Sequence, residues 1–183
     1  MTPHSLAFYV HTVTTGTVLD ARPTDSPDQV AAVLGTGFAE DATGGRTMFR
    51  DYGLAEFHFH RGRPGDPWAG HHFSLQVHRL ALGPVGLPGP VLQDRYGRFA
   101  SRLRFGKLRG LLDRRGVPLV EIPEYAGNAP HYRTFWQPAS QTAVTFVAVR
   151  DAYGTPAHLR PGDVYGITAP VTAAEVAMRT ARA

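Results

Sequence analysis

The sequence predicts an α+β fold, a mostly antiparallel sheet of five to seven strands with two or three helices packed mainly on one face. Two runs, 55–60 and 72–78, alternate apolar and polar residues with a period of two around a connection rich in Gly and Pro. Later runs are rich in β-branched and aromatic residues and are separated by turn residues. The length of 183 residues favours one domain spanning 1–183.

The two alternating runs predict a β-hairpin with one face in the core and one polar face. Residues 46–50 are expected to extend its first strand backwards. The core face is predicted to hold the apolar positions Phe57, Phe59, Phe73, Leu75 and Val77. The polar face is predicted to hold Glu56, His58, His60, His72 and His78.

The N-terminal part predicts one strand and one short helix. Residues 5–13 are rich in β-branched and aromatic side chains, which favours a strand. The helix follows, with Asp25 or Ser26 as its N-cap and an apolar stripe behind it. The acidic pair Glu40 and Asp41 is expected in the loop after this helix.

The second half begins with a turn-rich linker, 82–90, which is the candidate boundary between two subdomains. A helix is predicted from Phe105, ending before Gly116. We detect no internal sequence repeat. The remaining elements are strands at 119–122, 131–136, 142–149 and 163–168, and a terminal helix at 171–182 capped by Thr172.

Composition narrows the class of protein. The chain has no Cys, which excludes disulfides and thiolate metal sites and fits a cytoplasmic location. No secretory signal is readable, and no stretch approaches the roughly 18 apolar residues of a membrane helix, so no membrane association is expected. The sequence contains no nucleophile elbow, P-loop, dinucleotide fingerprint or zinc-protease motif. We therefore predict no catalytic activity and no cofactor.

The polar hairpin face is the first candidate site. Imidazoles two residues apart on a strand can share a metal ion, and a nearby carboxylate could join them. A metal-dependent enzyme would use His58, His60 and either His72 or His78. The alternative, which we favour, is that these side chains belong to an interface.

The basic segment 95–115 is the second candidate. It carries eight basic residues against one acid, whereas residues 1–94 carry six basic residues against nine acids. Such a cluster attracts phosphate, and a nucleic-acid site would involve Arg98, Arg102, Arg104, Lys107 and Arg109. The favoured interpretation is an amphipathic helix whose Arg residues form the solvated face.

A resemblance adds to this interpretation. The residues that carry it are Val33-Leu34-Gly35, Asp51-Tyr52-Gly53-Leu54, Glu56-Phe57 and Leu75 to Leu80. In this order they resemble a group of small proteins of high-GC bacteria that includes immunity proteins of polymorphic toxin systems. The resemblance implies an α+β protein that binds and neutralises a cognate toxin without catalysis.

The resemblance also directs attention to a contact surface. Inhibitors of nucleases tend to be acidic and this chain is basic overall, so either the toxin is not a nuclease or the acidic N-terminal part provides the contact. The partner-binding residues are predicted to be Glu40, Asp41, Asp51, Glu56, His58, His60, Asp66, Trp68 and His78.

Overall fold

The computed structural model describes residues 4–83, 87–151 and 155–182. The strands are β1 Ala39–Thr43, β2 Thr47–Asp51, β3 Ala55–His60, β4 Ala69–Leu75, β5 Val120–Ile122, β6 Tyr132–Gln137, β7 Thr142–Val147 and β8 Val164–Ala169. The helices are α1 His4–Thr15, α2 Pro27–Leu34, the 3-10 helix Val77–Leu82, α3 Pro90–Tyr96, α4 Phe105–Asp113 and α5 Ala173–Thr180. The α+β class and the antiparallel sheet are confirmed. The predicted numbers of strands and helices are too low.

The eight strands of the described residues belong to one antiparallel sheet in the order β1-β2-β3-β4-β8-β7-β6-β5. Strands β1–β4 form one meander and β5–β8 form a second, and the two meet where β4 pairs with β8. Two α-helices precede each meander. A two-fold axis normal to the sheet between β4 and β8 exchanges the strand positions of the two halves. The chain is therefore duplicated in topology, although its sequence shows no repeat.

The two additional strands come from the segment before the hairpin. The predicted loop around Glu40 and Asp41 is the edge strand β1, and residues 47–51 form a separate strand rather than an extension of β3. The sequence AEDAT has low strand propensity, so tertiary pairing with β2 overrides it. Charged side chains on an outermost strand also discourage pairing with another molecule.

The N-terminal strand prediction is wrong, because residues 4–15 form α1. Phe8, Val10 and Val13 are completely buried, and Leu6 and Tyr9 are nearly so. This helix is apolar on most of its surface because it lies deep in the core. In a short run that is apolar on all sides, the spacing of apolar residues does not distinguish a buried helix from a buried strand.

The predicted helix after Ser26 is confirmed as α2. Ser26 accepts a hydrogen bond from the Gln29 backbone N–H, and the Gln29 side chain accepts one from the Ser26 N–H, which completes a capping box. The helix from Phe105 is confirmed as α4. Helix α3, which begins at Pro90 where the linker ends, was not predicted, and residues 84–86 of the linker lie outside the described part of the chain.

The sheet separates two layers of different character. Helices α1 to α4 pack with the predicted core residues on one face, and Phe57, Phe59, Phe73, Leu75 and Val77 are all at most 2% exposed. Strand β4 nevertheless ends at Leu75, and Val77 begins the 3-10 helix. Helix α5 lies on the other face near β5, where Val176 packs against a small second cluster. We call the face of β1–β4 that points away from α1–α4 the open face.

Within the described ranges, no helix combines the length and the apolar character needed to cross a bilayer.

Candidate binding face

A β-bulge determines which histidines reach the open face. His58 pairs with His72, but the register then shifts so that Phe59 pairs with Gly70 and His60 with Ala69. His71 is the additional residue in β4 at this shift. A bulge places two consecutive residues of one strand opposite a single residue of its neighbour. His71 and His72 therefore both lie opposite His58, and their side chains share one face of the sheet instead of pointing to opposite faces. The strict period of two in the sequence hides this, and His71 was not among the predicted site residues.

The imidazoles form a contiguous group. The rings of His58 and His72 stack with centroids 4.1 Å apart and planes 7° apart. His71 lies edge-on to His72, with the two Nδ1 atoms 2.6 Å apart, and the ring of His60 stands perpendicular to that of His71 at 5.5 Å. Phe49 of β2 lies on the other side of His58, at 5.8 Å between ring centroids. We call Phe49, His58, His60, His71 and His72 the ring cluster.

The ring cluster lines a pocket of about 490 Å³. Asp41 of β1 and Thr47 of β2 border it as well. Burial, followed by the neighbouring charges of His58 and His71, lowers the pKa of His72 to about 4. His72 is therefore neutral at physiological pH and contributes an imidazole ring without charge to the pocket.

A charge network lies beside the ring cluster. The Arg79 guanidinium contacts Glu56, donates to Asp51 Oδ2 at 2.8 Å and donates to the Gly53 carbonyl at 3.2 Å. His58 Nε2 lies 3.7 Å from Glu56 Oε2. The interaction with His58, and then the positive charge of Arg79, lower the pKa of Glu56 to about 2. Glu56 is therefore ionised and fixed in place under all physiological conditions.

Polar side chains continue this network across β4. The Gln76 amide nitrogen donates to Glu56 Oε2 at 2.6 Å and to Ser74 Oγ at 2.9 Å. His78 stacks on Tyr165 with centroids 4.4 Å apart, and burial lowers its pKa. These contacts hold the side chains in one arrangement before any partner arrives.

The structure brings most of the predicted contact residues together, with exceptions. Asp41, Asp51, Glu56, His58 and His60 lie on the open face, which follows from their cross-strand register. The other predicted residues lie near its margin or elsewhere. Glu40 points to the opposite face and pairs with Arg50 at 2.7 Å, Asp66 is exposed in the β3–β4 loop, and His78 lies on the 3-10 helix.

Trp68 does not stand free as an aromatic anchor. Its ring packs against the main core, and the Arg61 guanidinium covers it at 4.1 Å from the ring centroid. Trp136 is partly buried against the smaller cluster, and its indole N–H donates to the Val171 carbonyl at 2.8 Å. The ring cluster, rather than either Trp, provides the accessible aromatic surface of the hairpin.

The metal alternative through His58, His60 and His72 does not fit the geometry. Across the part of the chain that the structure describes, no three His, Asp or Glu side chains are arranged to hold one metal ion. The reason is the stacking of His58 on His72, because parallel rings direct their nitrogen atoms side by side rather than toward a common point.

The basic segment is remote from the ring cluster in the layered structure. Phe105, Leu108 and Leu112 of α4 are buried, and Phe105 stacks on Phe146 at 4.2 Å. The helix therefore packs on the core face of the sheet. Arg104 donates to the buried Asp163 at 2.7 Å, with Arg102 at 3.5 Å from the same carboxylate. The apolar stripe predicted for α4 is confirmed. Two of the basic residues of segment 95–115, Arg102 and Arg104, form an internal ion pair with Asp163.

Comparison with protein-family models, curated proteins and solved structures finds no match. The interpretation of the open face therefore depends on its own chemistry.

Proposed function

We propose that this protein is a non-catalytic binding module that recognises another protein, and that the partner is a cognate bacterial toxin that it neutralises. The observation that carries the proposal is the open face, where the ring cluster borders a pocket and a hydrogen-bonded charge network. The resemblance to immunity proteins supplies the class of partner.

Preorganisation supports a binding role. Glu56 and Asp51 share Arg79, Gln76 links Glu56 to Ser74, and His72 is held between His58 and His71. Side chains that are already ordered lose little entropy when a partner docks, so more of the contact energy becomes affinity. Accessible rings at the centre of a patch are also the side chains on which binding energy concentrates.

The charge of the partner can be inferred from the same surface. Residues 1–94, which include β1–β4, carry six basic residues and nine acids. Asp41 is an exposed carboxylate that borders the pocket, Asp66 is exposed in the β3–β4 loop, and Arg79 is occupied by Glu56 and Asp51. We therefore propose a toxin whose contact surface is basic, because complementary charge accelerates association and excludes wrong partners.

The nucleic-acid alternative receives less support. The cations of 95–115 accompany α4 on the core side of the sheet, whereas the ring cluster stands on the open face. Of the rings within the segment that could stack on bases, Phe99 and Phe105 are buried in the core.

The experiment starts from the neighbouring reading frame. The toxin-like protein encoded there is produced as an inactive variant, and its affinity for this chain is measured by titration calorimetry. The open-face double variant Phe49→Ala/His60→Ala should weaken binding by at least about tenfold, as expected for central interface residues. The control Lys107→Ala on α4 should leave affinity unchanged.

Two results would remove the proposal. One is a neighbouring gene that encodes no toxin-like protein, together with no partner recovered from the native cell. The other is a measured complex in which Lys107→Ala weakens binding and the open-face variant does not.

A further inference from the structure

The bulge in β4 brings two histidines of the ring cluster into direct contact. On a regular strand, neighbouring side chains point to opposite faces. The register shift places His71 and His72 on the same face, and their Nδ1 atoms approach to 2.6 Å. Two neutral imidazoles reach this distance only when one Nδ1 carries the proton and the other presents its lone pair.

We propose that His71 and His72 form a two-imidazole binding site for a divalent transition-metal ion such as Cu²⁺, Ni²⁺ or Zn²⁺. Neutral imidazole nitrogen is a ligand that suits all three ions, and the chain has no Cys to compete as a softer donor. His71 and His72 also belong to the ring cluster of the proposed toxin-binding face, but metal binding is measured without a toxin, so the two proposals can fail separately.

Binding needs only a small rearrangement. With metal–nitrogen distances of about 2.0 to 2.1 Å, two ligands of one ion stand roughly 2.9 to 3.3 Å apart. The Nδ1 atoms therefore separate by about half an ångström from their present contact. The ring that carries its proton on Nδ1 moves it to Nε2, so both lone pairs face the ion and no net proton is released.

The surroundings favour this pair over other histidines of the cluster. His58 stacks on His72 and restricts the orientation of its ring. His71 is exposed, so an ion can enter from solvent. No third His, Asp or Glu of the described residues is arranged to join one ion here, so water completes the coordination. Such a site prefers Cu²⁺, which binds nitrogen ligands most strongly among these ions.

The test uses the full chain without an affinity tag, titrated calorimetrically with Cu²⁺, Ni²⁺ and Zn²⁺ separately. We expect one saturable site per chain, tightest for Cu²⁺, with nitrogen hyperfine coupling in the Cu²⁺ electron paramagnetic resonance spectrum. His71→Ala and His72→Ala should each weaken binding by at least about tenfold, while the control His4→Ala at the start of α1 should not change it.

Thermal melts of each variant guard against loss of folding, and because His71 is exposed its variant decides the outcome if His72→Ala unfolds. Absence of saturable binding to the unaltered chain would overturn the site. Retention of full affinity in His71→Ala, or equal loss in His4→Ala, would overturn it as well.

Discussion

Glu56 should make the stability of this protein depend on pH between 4.5 and about 2. Its pKa falls from 4.5 to about 2 in the folded chain, chiefly through His58 and then Arg79. A group whose pKa is depressed by folding stabilises the folded state above its unfolded pKa. This stabilisation is lost as the pH falls from 4.5 through 2.

The magnitude follows from the size of the shift. Each pKa unit corresponds to about 1.4 kcal/mol, so the full shift corresponds to about 3 kcal/mol. The His58 and Arg79 side chains that lower this pKa are each 31% exposed, so solvent screens part of the attraction. We expect Glu56→Gln to lower the free energy of unfolding by about 2 kcal/mol at pH 7.

The assay is urea unfolding, followed by tryptophan fluorescence and circular dichroism, at several pH values from 7 to 2. The free energies of unfolding of the two proteins should differ most at pH 7 and converge toward pH 2. Glu40→Gln, a carboxylate on the opposite face that is 41% exposed, is the control and should cost less than about 1 kcal/mol. A constant offset between Glu56→Gln and the unaltered chain at every pH would refute the assignment.

Three further substitutions test the core and the bulge. Tyr9→Phe should raise the free energy of unfolding by about 1 kcal/mol, because the buried Tyr9 hydroxyl has no hydrogen-bond partner among the described residues; an unchanged or lower thermal midpoint would contradict this. Leu112→Ala should cost roughly 2 to 5 kcal/mol in urea unfolding because the side chain is completely buried, and a cost below about 1 kcal/mol would place α4 outside the core. Gly70→Ala should lower the free energy of unfolding by about 2 kcal/mol, because a Cβ there would lie 2.4 Å from the Asp25 carbonyl oxygen. An unchanged melting temperature would show that the segment around Asp25 does not pack tightly against β4.

The hairpin could be predicted from sequence because its signal is local and periodic. Phe57, Phe59, Phe73 and Leu75 alternate with polar residues, and a period of two fixes both the strand type and the buried face. The start of α2 was predicted for a similar reason, with Asp25 or Ser26 as its cap, and the capping box with Gln29 identifies the cap as Ser26.

Other features depend on contacts between distant parts of the chain. Residues 4–15 are apolar because α4 and the sheet bury them, and nothing within that run separates helix from strand. Strand β1 exists only because β2 pairs with it. The bulge at His71 arises from the register of β4 against β3, which no single segment specifies. The candidate site was thus predicted in its location but not in its full set of histidines.

The pairing of β4 with β8 has a consequence for how the protein is made. Residues 73–75 of β4 pair with residues 167–169 of β8. The ribosome therefore adds nearly a hundred residues between the synthesis of β4 and that of its partner strand. Until β8 leaves the ribosome, one edge of β4 presents unpaired backbone groups. A second nascent chain would carry the same free edge on its own β4. Two such edges could pair antiparallel, in the way that β4 and β8 pair in the complete sheet. In the complete sheet β8 occupies this edge, so β4 is paired on both sides and offers no free backbone groups there to another molecule.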